Sequence, residues 1–210
     1  STFVGWPEGD FVRLLFHELA HQVVYAPNDT LFNESFATAV ERIGVAQWLA
    51  TQSTPAAREA YATSEARRSA FRALTRATRT RLAAIYEQKE LQALEDHALN
   101  AMKTEAMKAF RDDYAALRAS WLDAPGGTPP RATTAQVAGY DRWVAQANNA
   151  SFAAQAAYDE LVPAFEALFA REGRQWPRFY DAVRQLAKQP ETQRHQSLRA
   201  LSPPKEPPGA

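Results

Sequence analysis

Cysteine is absent from the 210 residues. That excludes disulfides, thiolate nucleophiles, cysteine-type zinc sites and iron–sulfur clusters, and it fits any compartment. Charge of either sign is not in excess, with 24 Lys and Arg against 24 Asp and Glu. A dedicated nucleic-acid binder carries a clear basic surplus, so no nucleic-acid partner is expected. No run reaches the roughly 18 consecutive apolar residues of a membrane span. Alternating β-branched patterns are scarce, so little strand is expected, and no fixed-period repeat appears. Glycine is sparse, at 8 residues, and 56–124 holds neither Gly nor Pro. Against these absences stand 46% apolar residues in a 23.4 kDa chain. That is enough for the core of one domain, or one and a half.

Ser1–Trp6 has neither a basic n-region nor a long apolar h-region, so it is not a signal peptide. The abrupt start reads as that of a fragment or processed chain, with Phe3-Val4 ending a strand whose partners lie upstream. From Asp10, a plausible N-cap, the residues Phe11, Leu14, Leu15, Leu19, Val23 and Val24 recur at helical spacing. Pro27 stops that helix near Tyr25. Asn28-Asp29 caps a second helix, whose stripe is Leu31 or Phe32, Phe36, Val40, Ile43 and Trp48; Pro55 marks its limit.

As a single helix, 56–124 would run about 100 Å at ~1.5 Å per residue, longer than a small domain. A pair of antiparallel helices is expected instead, bending near Gln88–Gln92, where the apolar pattern weakens. Tyr61, Leu74, Leu82, Ile85 and Tyr86 would face Leu94, Met102, Phe110, Tyr114, Leu117 and Trp121. Pro125–Pro130 is a loop. Helices over about 134–150, 151–171 and 176–188 follow, the last two separated by Gly173 and Pro177. The expected fold is mainly α: a helical hairpin over 1–55, a long antiparallel pair over 56–124, C-terminal helices over 131–190 and a disordered tail over 191–210.

One constellation carries chemistry. Residues 17–21 read His-Glu-Leu-Ala-His, an HExxH motif on the first helix. Four residues are about 400° of rotation and ~6 Å of rise, so the imidazoles of His17 and His21 share a face and can share one ion. Glu18 is turned ~100° away, where it can reach a water on the metal without being a ligand. Hydrolytic zinc wants three protein ligands and a water. If the two helices fold back at Pro27-Asn28, His21 and Glu34 both lie about one turn from the bend and can meet. Glu41 shares Glu34's face ~10 Å further along, better placed to hold His17 from outside than to bind metal. Two neutral imidazoles and one carboxylate leave Zn²⁺ a net positive charge, which can bring the water's pKa towards ~7. Glu18 would take the proton and pass it to the leaving amine.

The stretch Leu14–Tyr25, followed by Asn33-Glu-Ser-Phe-Ala-Thr-Ala-Val-Glu-Arg-Ile-Gly44, resembles the gluzincin metallopeptidases. More closely, His17–Gly44 is similar to the predicted aminopeptidase family of proteobacteria. Gly139–Trp143, Asn148–Ala150 and Tyr158–Phe165 resemble it too, and the likeness covers about 1–190. The resemblance implies a zincin-like hairpin, with any sheet small or upstream. His17, His21 and Glu34 would be zinc ligands and Glu18 the base, with Glu41 and Asn33 supporting them. Tyr140, Asn149 and Tyr158 would be substrate or oxyanion contacts, beside the bland reading of the tyrosines as packing residues. It further implies a peptide substrate and a periplasmic or membrane-anchored origin, tethered through missing N-terminal sequence. The acidic element with which well-known gluzincin aminopeptidases read the substrate's amine is not found in the sixteen residues before His17.

His97 and His195 show no partner pattern and are expected to be solvated. Arg67, Arg68, Arg72, Arg76, Arg79 and Arg81 form a basic segment, expected as a solvated helix face with contact to anionic lipid as its alternative. The reading from a different class is a helical lipoprotein module with a structural or vestigial zinc site.

Overall fold

The computed structural model describes residues 7–92, 95–123 and 131–201. The Phe3-Val4 strand, Leu94, the 125–130 loop and the end of the tail lie outside the described residues. The fold is mainly α-helical, with no strand among the described residues. The helices are α1 Glu8–Val23, α2 Thr30–Thr51, α3 Pro55–Gln92, α4 Asp96–Leu122, α5 Thr134–Gln146, α6 Asn149–Glu160, α7 Val162–Arg171, α8 Trp176–Ala187 and α9 Glu191–Arg199.

Several boundaries differ from expectation. Pro7, not Asp10, precedes α1, and Asp10 sits in its first turn, where a carboxylate suits the exposed N–H groups. Asp29 caps α2 as expected, accepting the Phe32 N–H at 3.0 Å. The end of α3 at Gln92 agrees with the bend expected near Gln88–Gln92. Gln, Lys, Glu and Leu there are good helix formers and prolong α3 although their apolar pattern is weak. The single helix expected over 151–171 is cut at Leu161, because Pro163 in the first turn of α7 cannot continue α6.

The chain forms two compact units, Ser1–Tyr61 with Ala156–Ala210, and Ala62–Gln155. The first unit thus combines α1 and α2 with α7, α8 and α9, and the second holds most of α3 with α4 and α5. In that first unit α1 and α2 share a core with α7, α8 and α9. Phe32, Phe36, Phe165, Leu168, Phe179 and Leu198 are fully buried. Phe32 meets Phe165 edge-on, with centroids 5.2 Å apart. Gly44 lets α2 close on α1: a Cβ there would lie 3.0 Å from the Phe16 ring.

The tail expected over 191–210 is corrected by α9, which occupies 191–199. Its apolar content is low, so periodicity gave no helix signal. Besides Leu198, which is buried in the core, polar contacts hold it. Arg194 donates to the buried carboxylate of Asp29 and to the carbonyls of Leu186, Ala187 and Gln189. His195, expected in solvent, is buried with Nε2 2.9 Å from Asp29 Oδ2. Removing one partner of a buried pair strands the other charge. Asp29→Ala is expected to cost about 3–5 kcal/mol in denaturant unfolding. The paired change Asp29→Ala with Arg194→Met should cost less, because no guanidinium stays buried alone.

The second unit has its own core of Phe71, Leu82, Ile85, Leu99, Phe110 and Tyr114 from α3 and α4, closed by Val144 and Phe152. Asp141 accepts from the Tyr114 hydroxyl at 2.6 Å and from Arg118 Nε at 2.8 Å. Tyr86 departs from the expected α3 face: it is 39% exposed. The basic segment is not a uniform solvated face either. Arg67 is buried, and Arg68 and Arg72 both pair with Glu65. No helix among the described residues is long and apolar enough to cross a membrane.

Candidate metal centre

The hairpin turn sets the geometry. After α1 the chain is extended at Val24, and Asn28 adopts φ 63°, a left-handed conformation that asparagine tolerates. Asn33 closes the turn from within: its Oδ1 accepts the Ala26 N–H at 2.8 Å, and its Nδ2 donates to the Ala26 carbonyl at 2.8 Å. The side-chain bonds of Asn33 thus go to the turn, not to a histidine. It supports the centre by fixing where α2 begins, and the next residue along α2 is Glu34.

Across this turn α1 and α2 bring His17, His21 and Glu34 together. His17 Nε2 lies 3.3 Å from Glu34 Oε2, and His21 Nε2 lies 3.8 Å from Glu34 Oε1. The two imidazoles are 5.1 Å apart between centroids and nearly perpendicular, at 80°. One donor atom from each of the three residues falls within 4.8 Å of the other two, and all three side chains are half-buried. His21 Nδ1 is buried and has no hydrogen-bond partner among the described residues. His21 is thus held by packing and its Nε2 side alone.

His17 is held on both sides. Its Nδ1 is 3.1 Å from Glu41 Oε2. The other oxygen of Glu41, Oε1, accepts from Arg13 Nη1 at 2.7 Å. The hydrogen bond to Glu41 raises the His17 pKa above that of an ordinary imidazole, against burial, which lowers it. Burial pushes the Glu41 carboxyl up, yet the hydrogen bonds and charges of His17 and Arg13 hold it below the usual carboxylate range. Glu18 is exposed on α1, in electrostatic range of His17.

Tyr140 stacks between Phe71 and Trp121 in the core of the second unit, with centroids 4.9 and 5.1 Å away. Asn149, in the same unit, donates to the Tyr86 hydroxyl at 2.6 Å. The side chain of Tyr158 lies outside the described residues. His97 is exposed on α4, as expected. A second grouping, Asp29, Glu191 and His195, also brings three donor atoms together. There the Arg194 guanidinium already sits on Asp29 and takes the place of a cation.

Sequence reasoning overlooked Arg13. The signal was available: Arg13 precedes His17 by four residues, the interval that separates His17 from His21, so the three share a helix face. It overlooked the α9 contacts to Asp29 for a different reason, since no local pattern links residues 165 positions apart.

A family model described as "Putative aminopeptidase" matches residues 1–198. No curated protein matches the chain, and neither does any solved structure.

Proposed function

The chain belongs to the "Putative aminopeptidase" family, and from that premise we propose that it is a zinc-dependent peptidase of gluzincin type, with Glu18 as its general base. The observation that carries this reading is the convergence of both Nε2 atoms on the two oxygens of Glu34, at 3.3 and 3.8 Å. Tetrahedral donors ~2.0–2.1 Å from one ion stand about 3.3 Å from each other, so the donor set and its spacing fit zinc.

His17, His21 and Glu34 would hold the ion. Bound there, zinc supplies Lewis acidity, which makes a water more acidic and stabilises negative charge on a carbonyl oxygen. The rest falls to the chain's own residues. Glu18, exposed and one position beyond His17, accepts a proton from the attacking water as its oxygen bonds to the carbonyl carbon. When the C–N bond breaks, the Glu18 carboxyl returns that proton to the amine nitrogen. Glu41 keeps a proton on His17 Nδ1, so that Nε2 presents its lone pair. Asn33 keeps α2 in register with α1 through Ala26.

A digest panel tests the reaction and its specificity together. Peptides with a free amine, the same peptides N-blocked, and matched esters are offered to the zinc-loaded chain. Cleavage of free-amine peptides with the blocked set spared is the expected result. Cleavage of both sets would make it an endopeptidase, and zinc binding with no turnover of any peptide would favour a structural metal site.

A further inference from the structure

We propose that Arg13 is a positioning residue for the metal centre, acting through Glu41 to orient His17. The inference rests on the zinc reading above. Glu41 has two carboxylate oxygens and each has one partner: Oε1 takes Arg13 Nη1 at 2.7 Å, and Oε2 faces His17 Nδ1 at 3.1 Å. With Oε1 committed, the carboxylate cannot swing about its bond without breaking a charge-assisted contact. Oε2 therefore stays aimed at Nδ1. That fixes the tautomer with its proton on Nδ1 and turns Nε2 towards Glu34, 3.3 Å away. The same clamp keeps Glu41 from rotating inward to compete with Glu34 as a ligand.

The three groups belong to the first unit. Arg13 and His17 are a helical turn apart on α1 and Glu41 stands across from them on α2, so the chain of contacts also ties the two helices together above the turn. The Glu41 side chain is only 12% exposed, whereas Arg13 is 31% exposed. Arg13 Nε is buried with no hydrogen-bond partner among the described residues, so Arg13→Met, which keeps the apolar stem, removes the guanidinium with the least change in packing.

The test is a double-mutant cycle on zinc affinity, read by competition with a chromophoric chelator. Circular dichroism confirms the fold of each variant. Arg13→Met is expected to weaken zinc about tenfold, at the lower end of what an outer partner of a metal histidine contributes, and Arg13→Lys to recover part of the loss. In a Glu41→Ala background, Arg13→Met should change affinity by less than about twofold, because the residue through which it acts is gone. A nitrogen-15 imidazole spectrum gives a readout that general destabilisation would not move. His17 should hold its proton on Nδ1 in the parent and lose that single tautomer in Arg13→Met. Zinc binding in the parent with unchanged affinity in Arg13→Met, or full independent effects of the two substitutions, would overturn the role of Arg13. Absence of zinc binding in the parent would overturn the metal reading itself, and this inference with it.

Discussion

Glu18→Gln is expected to keep its zinc and lose kcat by about a hundred- to ten-thousand-fold. The amide keeps the size of the carboxylate but cannot take a proton from water, and positioned general bases contribute on that order. The loss corresponds to about 3–5 kcal/mol of transition-state stabilisation. Because Glu18 is exposed and does not belong to the cluster of donor atoms, folding and metal content should be unchanged. Stopped assays on the purified variant, with zinc measured in the same sample, check both halves. Turnover at the parent rate in Glu18→Gln would remove Glu18 from the chemistry.

Glu34→Ala has the second large effect, on the metal rather than on the proton. It removes the carboxylate that faces both Nε2 atoms, at 3.3 and 3.8 Å. Zinc affinity is expected to fall on the order of a thousandfold or more, beyond the roughly 10–100-fold that an outer partner contributes. Glu41→Ala is the matched control. It removes a carboxylate from the same helix, but one whose oxygens face Arg13 and His17 Nδ1, so its loss should stay within about 10–100-fold. Metal content after dialysis gives the order directly. The reverse order would exchange the roles of the two glutamates.

Legibility from sequence depended on distance along the chain. The spacing of His17 and His21 specifies one helix face, and Asp29 with Pro27 specifies a turn, so the approach of Glu34 follows from local rules. Arg13 obeys the same helical interval and could have been found that way. The α9 helix could not, because it offers one buried apolar residue, Leu198, and two basic side chains that meet the distant Asp29, and no apolar stripe. Tyr140 packs against Phe71 and Trp121, which is the packing role the sequence offered beside a substrate contact.

X-ray absorption at the zinc edge of the reconstituted chain tests the central claim most directly. Two imidazole nitrogens and one carboxylate oxygen at about 2.0–2.1 Å, with a further light-atom ligand, are predicted, and dialysed Glu34→Ala should lose the bound-zinc signal. A spectrum without imidazole scattering, or full retention of zinc by dialysed Glu34→Ala, would contradict it.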